Sequence, residues 1–187
     1  MALIHALVPT KWSWIILAFF IVAIIPADAF RLRRAKLNRL ALRIFGSVMR
    51  EHEATSLSGL SHLLLGTSLI LLIFPHHIVT LTLLLLAFGD PFASFIGIRY
   101  GKDRLLGNKT LQGSMGALFI CTLVSGIYYY LNNLMLERLL IVAPLSGLIG
   151  AVAELTPVGH LDDNFTFPIL TASGLWLLFH LFGGLSL

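Results

Sequence analysis

The chain has 187 residues, 57% of them hydrophobic and only 12% charged, with a net charge of +4 and one cysteine. Soluble domains carry about 25% charged residues, so this composition excludes an ordinary water-soluble domain, and the lone Cys121 excludes a disulfide framework or a thiolate metal cluster. The bilayer is the solvent in which the sequence makes sense, and the basic excess is expected to serve membrane lipid and phosphate, with no nucleic-acid partner.

Six apolar stretches of roughly 16 to 21 residues read as spans. In chain order they are Trp12 to Ala29, Gly59 to Phe74, Ile78 to Ile98, Ser114 to Leu131, Arg138 to Ala153 and Phe165 to Phe182. They are continuously apolar, and too long for tilted membrane strands, so helices are expected rather than a barrel. The fold class that follows is all-α: one integral membrane bundle over residues 1–187, with about six transmembrane helices and one interfacial helix. Lys11, the apolar run after it and Ala27-Asp28-Ala29 imitate a signal peptide, but Arg31, Arg33, Arg34 and Lys36 follow at once and are expected to resist translocation.

Between the first two stretches, Leu37, Leu40, Ala41, Ile44 and Val48 alternate at helical spacing with Lys36, Arg39, Arg43 and Arg50. That pattern predicts an amphipathic helix in the membrane interface over Lys36 to Arg50. It could anchor to anionic lipid or present arginines, Arg50 among them, to a nucleotide triphosphate. Eleven of the thirteen Lys and Arg residues lie between spans 1 and 2 or between spans 3 and 4. By the positive-inside rule those connections, and the one from Glu154 to Asn164, are expected on the cytoplasmic side. Every acidic residue except Glu137 falls at or near the same ends.

Three constellations carry chemistry. In Gly89-Asp90-Pro91 a carboxylate stands inside an apolar span, a placement that costs at least about 2.5 kcal/mol unless it faces a cavity or a partner. The Asp-Pro order predicts a helix that breaks here and restarts, with Asp90 as its cap. Ala93, Gly97 and Gly101 then form a small-residue stripe that admits a helix or a ligand close to the backbone. From Gly101 to Ser114 runs a basic, glycine-punctuated loop containing Lys102, Arg104 and Lys109. It lacks the adjacent Gly-Lys-Ser/Thr and the preceding strand of a Walker A loop. The physical resources are similar: lysine charge, exposed backbone N–H groups, and a helix N-terminus at Gly113-Ser114. Finally, Asp162-Asp163-Asn164 offers hard oxygen ligands suited to Mg²⁺ or another divalent cation, or a carboxylate to accept a hydroxyl proton. A plain helix cap at Asp163 or Asn164 would use one residue and leave a carboxylate unexplained. Arg50-Glu51-His52-Glu53 with Gly59 and His62 is weaker, without zinc-ligand spacing.

Taken in order from Asp28 to Pro168, these stretches resemble the CTP-dependent lipid kinases, a group comprising dolichol kinase, phytol kinase and the CTP-using diacylglycerol kinase and related to the phosphatidate cytidylyltransferases. The resemblance rests on Gly89, Asp90, Ala93, Ser94, Gly97 and Gly101, on Lys109-Thr110-x-x-Gly113-Ser114, and on Asp162-Asp163-Asn164-x-Thr166-x-Pro168; Arg50-x-x-Glu53 with Gly59 fits more loosely. It implies CTP and a divalent metal at the cytoplasmic membrane face and transfer of the terminal phosphoryl group to a lipid hydroxyl. Asp90, Lys109, Thr110, Asp162, Asp163 and Asn164 are then site residues, with Asp90, Asp162 and Asp163 the candidates for catalysis and metal. Lys102, Lys109, Thr110, Gly113, Ser114, Asn164 and Arg50 are the candidates for the nucleotide. The chain is shorter than eukaryotic dolichol kinase and lacks the long aspartate-rich signature of a phosphatidate cytidylyltransferase, which counts against dolichol and phosphatidate as acceptors. The acceptor expected is a long-chain lipid alcohol of diacylglycerol, polyprenol or phytol type. The rival readings are a cytidylyltransferase built from the same parts and a small-solute transporter; a transporter would need polar residues reaching both faces.

Overall fold

The computed structural model describes residues 10–46, 49, 51–156 and 161–184. Among these, the apolar stretches form helices: α1 (Thr10–Arg33), α3 (Gly59–Ile73), α4 (His76–Tyr100), α5 (Leu111–Leu131), α6 (Leu139–Leu155) and α7 (Asp163–Phe182), with the short α2 (Ala35–Phe45) after α1. Five of them, all but α2 and α3, are long and apolar enough to cross a membrane. At 15 residues α3 reaches only about 22 Å, short of a hydrocarbon core of about 30 Å.

Helices α4 to α7 form the centre. Helix α5 packs along both α4 and α6, α6 lies also on α7, α3 rests on α7, and α1 touches mainly α3 and α2. The apolar core runs through Ile78, Leu81, Leu85, Tyr129, Leu175 and Phe179, with Tyr129 and Ser146 hydrogen-bonded inside it at 2.6 Å. Cys121 is a packing residue: it is fully buried, and a Cβ at Gly89 or Gly150 would lie 2.8 or 3.0 Å from its sulfur.

Three expectations change. Helix α4 does not break at Asp90 but runs unbroken through Pro91 to Tyr100. Pro91 only forfeits one N–H, a loss that neighbouring helices make tolerable in membrane segments. The following half of α4 is held by α5 on the small-residue stripe, where a Cβ at Gly97 would meet Thr110 Oγ1 at 3.1 Å and one at Gly113 the Ala93 carbonyl at 2.9 Å. The stripe therefore seats a helix. Second, the basic loop contains a two-stranded hairpin, β1 (Arg104–Leu106) paired antiparallel with β2 (Lys109–Thr110). Gly107 turns it with a left-handed φ of +54°. Third, the interfacial helix ends at Phe45 rather than Arg50. None of its residues is buried, and Leu40 and Ile44 remain exposed, so its apolar face is left for the membrane interface.

Candidate active site

Connections alternate the direction of the helices, so the C-terminal parts of α1, α4 and α6 meet the N-termini of α3, α5 and α7 at one end of the bundle. At this end Asp90 of α4, Lys109 of β2, Glu154 of α6, and Asp163 and Asn164 of α7 line one small crevice. Its volume is about 10 Å³, room for roughly one water-sized species.

Lys109 organises the crevice. The hairpin carries it back over the bundle end, where its Nζ donates to Glu154 Oε1 at 2.6 Å and lies 3.6 Å from Asp163 Oδ2. Burial works against its charge. The Glu154 hydrogen bond and charge, with the charges of Asp163 and Asp90, outweigh that and hold its pKa above the ordinary lysine value. Glu154 is 7% exposed, and its second oxygen, Oε2, is buried with no hydrogen-bond partner among the described residues. An unpaired buried carboxylate oxygen is costly unless a ligand completes it. Three carboxylates face one ammonium here, so the crevice retains negative charge suited to a cation.

The neighbouring acids divide their work. Asp162 is the N-cap of α7, accepting from the Asn164 backbone N–H at 2.9 Å, and is buried; the cap is therefore neither Asp163 nor Asn164. Asp163 occupies the first turn and is turned toward Lys109. Thr110 caps α5, its hydroxyl accepting from Gly113 N–H at 3.1 Å, and Ser114 Oγ donates to the Thr110 carbonyl at 3.2 Å. These groups brace the helix end on which Lys109 depends. Lys102 stays exposed on the loop, where its backbone N–H donates to Gln112. Arg50 lies outside the described residues.

No three His, Cys, Asp or Glu side chains among the described residues converge closely enough to hold a metal by themselves. That arrangement still fits Mg²⁺, which is commonly held by one or two carboxylates together with substrate phosphates. The orphaned Glu154 Oε2 marks spare donor capacity in the crevice.

Sequence reasoning named Glu154 beside the acidic pair but gave it no role. A signal was present, a glutamate ending an otherwise apolar span. Its partner, however, stands 45 residues earlier. A second polar cluster was missed outright. At the end of α1, Arg31 donates to Asp28, Asn38 and the backbone carbonyls of Glu53 and Ser56, while Asp28 also accepts from Ser58 N–H and Ser61 Oγ. This clasp fixes α2, the Glu53 turn and the start of α3 against α1. Glu53 is thereby brought to Asn164: a Cβ on the intervening Gly59 would lie 2.6 Å from Asn164 Nδ2 and 3.3 Å from Glu53 Oε1.

No protein-family model matches the chain, and no solved structure does. Curated proteins do. The chain is 32% identical over 170 residues to CTP-dependent diacylglycerol kinase 1 of Schizosaccharomyces pombe, covering 84% of this chain and 78% of that protein. It is 28% identical over 180 residues to CTP-dependent diacylglycerol kinase 1 of Saccharomyces cerevisiae, covering 84% of this chain and 60% of the yeast protein. An uncharacterized protein of Rickettsia prowazekii is 30% identical over 162 residues, covering 82% of this chain and 76% of that protein. With a helical membrane bundle, a carboxylate-lined crevice around one lysine at its end, and 32% identity to the fission-yeast protein over 84% of its own length, the chain belongs to the family of CTP-dependent diacylglycerol kinases.

Proposed function

We propose that the chain transfers the terminal phosphoryl group of CTP to the hydroxyl of a membrane lipid alcohol, diacylglycerol in the first place, at the crevice between Asp90, Lys109, Glu154 and Asp163. The observation that carries this reading is the Lys109–Glu154 pair beside Asp163, with one Glu154 oxygen left unsatisfied. The activity for which the fungal relatives are named supports it. We place the crevice on the cytoplasmic side, where the excess of Lys and Arg in the adjoining connections would put it.

Phosphoryl transfer needs positioning and charge neutralisation more than covalent help from the protein. Lys109 exchanges part of its contact with Glu154 for a phosphate oxygen of the nucleotide, a charge-assisted bond. Asp163 is the half-buried carboxylate beside Lys109, placed to accept the proton of the attacking hydroxyl. The lipid oxygen forms its bond to the γ-phosphorus as the bond to the bridging oxygen breaks, CDP leaves, and the proton passes to the carboxylate. Asp90 and Glu154 keep the floor of the crevice anionic. A divalent cation would be held by one or two of these carboxylates, Glu154 with its spare oxygen first, together with the substrate phosphates, and when bound would neutralise charge on those phosphates. Asp162 acts by fixing the start of α7.

The test is incubation of purified protein in lipid nanodiscs with labelled CTP or ATP and a panel of diacylglycerol, polyprenol and phytol, followed by identification of the labelled lipid and the released nucleotide. CDP and a phosphorylated diacylglycerol are expected. A parallel incubation supplies phosphatidate in place of the alcohol; release of pyrophosphate from CTP there, with a CDP-lipid as the labelled product, would replace this reading with cytidylyl transfer.

A further inference from the structure

A groove of about 850 Å³ opens beside the crevice, and the phosphoryl-transfer chemistry above does not use it. Its walls are mostly apolar, with Ala23 and Ala27 of α1, Leu37 and Ala41 of α2 and Leu60 and Leu63 of α3, and the bonded Asp28–Arg31 clasp and Ser58 line it too. One end is polar. There it reaches Glu53, which is 6% exposed, and Asn164, and Asn164 also lines the crevice of Lys109 and Asp163. Gly59 lies between that carboxylate and that amide and lets both close on the start of α3.

We propose that this groove is the binding site of the acceptor lipid, with its two acyl chains along α1, α2 and α3 and its free hydroxyl at Glu53 and Asn164, facing the phosphoryl donor. The proposal rests on the kinase reading for the identity of the hydroxyl lipid, and on three observations for its place. The first is continuity: Asn164 belongs to both cavities, so a hydroxyl at the polar end adjoins the phosphate crevice without leaving the protein. The second is the gradient from an apolar groove to a buried carboxylate and amide, which matches a molecule that is hydrocarbon at one end and a hydroxyl at the other. Third is size. The groove is near the top of the range of about 300–1,000 Å³ found for small-molecule sites, whereas the crevice has space for roughly one ion. Helix α2 forms a wall without a buried residue of its own, as expected of an element whose apolar face meets lipid.

The test uses the whole chain in nanodiscs and a diacylglycerol carrying a photoreactive diazirine in one acyl chain, with labelled peptides mapped by mass spectrometry. Labelling is expected on α1, α2 and α3, displaced by excess unlabelled diacylglycerol and not by phosphatidylcholine, which lacks the hydroxyl. Ala41→Trp, which fills the groove, should lower that labelling and raise KM for long-chain diacylglycerol about tenfold while leaving KM for CTP unchanged. Leu140→Trp, on the open face of α6, serves as the control and should alter neither. Equal displacement by phosphatidylcholine, labelling centred on α4 to α6, or equal kinetics of the two tryptophan variants would each overturn the proposal. Selective labelling of the groove without turnover of CTP on any alcohol would uphold the groove and remove the kinase reading instead.

Discussion

At the end of α1, Arg31 and Asp28 form a buried ion pair in which all bonding capacity is engaged. The guanidinium makes five hydrogen bonds from its five N–H donors, and each Asp28 oxygen accepts two. Where β2 meets the end of α6, the Lys109–Glu154 pair is also buried on its acidic side, yet one Glu154 oxygen has no partner among the described residues and Asp163 stands only 3.6 Å from the ammonium. A saturated pair is a fastening, because a ligand could enter only by breaking bonds already made. An unsaturated pair with surplus negative charge still has something to gain from a ligand. The same residue types thus hold the peripheral helices in one place and leave capacity for chemistry in the other.

The most severe way to break this comparison is to remove one partner from the saturated pair. Arg31→Leu leaves Asp28 buried with a charge that two hydroxyl or amide donors cannot balance, and should cost about 3–5 kcal/mol of stability. Unfolding in detergent, followed by denaturant titration, measures it; a loss below about 1 kcal/mol would mean that the clasp does not hold α1 to α3. In the unsaturated pair the expected loss is catalytic. Asp163→Asn and Glu154→Gln should each lower kcat/KM a hundredfold or more, about 3 kcal/mol, with the denaturation midpoint little changed. Near-wild-type turnover in both would remove the crevice from the reaction.

Lys109→Gln sharpens the contrast further, because it deletes a charge that the crevice uses and the clasp does not. Loss of a charge-assisted phosphate contact should weaken use of CTP by about 2–3 kcal/mol, with Arg104→Gln on the exposed strand as control. Equal, small effects would move the nucleotide elsewhere. Its pH dependence has a definite sign. The pKa of Lys109 is raised in the folded protein, so the stabilisation from its charge is complete below the ordinary lysine value of 10.5 and is lost only as pH climbs through the higher folded value. Any activity loss between neutrality and mildly alkaline pH should therefore survive in Lys109→Arg.

How far these regions were legible in the sequence differs for a physical reason. Apolar runs and charge asymmetry are local signals, and they located all six apolar helices and the end of the bundle at which the acids collect. Pairing over distance is not local. Glu154 was one of several acids at the ends of apolar spans, and nothing near it names Lys109 as its partner. Arg31 read only as one of a basic cluster, although Asp28 three residues earlier is the spacing of a helical ion pair. The break expected at Asp90-Pro91 failed because local capping preference was overridden by packing: α5 lies on Ala93 and Gly97 and keeps α4 continuous.

The smallest effect expected separates Asp162 from Asp163, adjacent residues that the sequence treats alike. Asp162 accepts the Asn164 N–H as the N-cap of α7, and Asp163, one residue further, faces Lys109. Asparagine caps a helix about as well as aspartate, so Asp162→Asn should keep the start of α7 in place and leave kcat within a few-fold of the parent. Asp162→Ala removes the cap and should cost about 1 kcal/mol of stability, with a matching small drop in activity as Asp163 and Asn164 lose their fixed position. A Tm series and steady-state kinetics on the two Asp162 variants beside Asp163→Asn decide the matter. If Asp162→Asn were as inactive as Asp163→Asn at unchanged Tm, the cap carboxylate would itself be reaching the reacting groups, and the division between fastening and chemistry would have to be redrawn within α7.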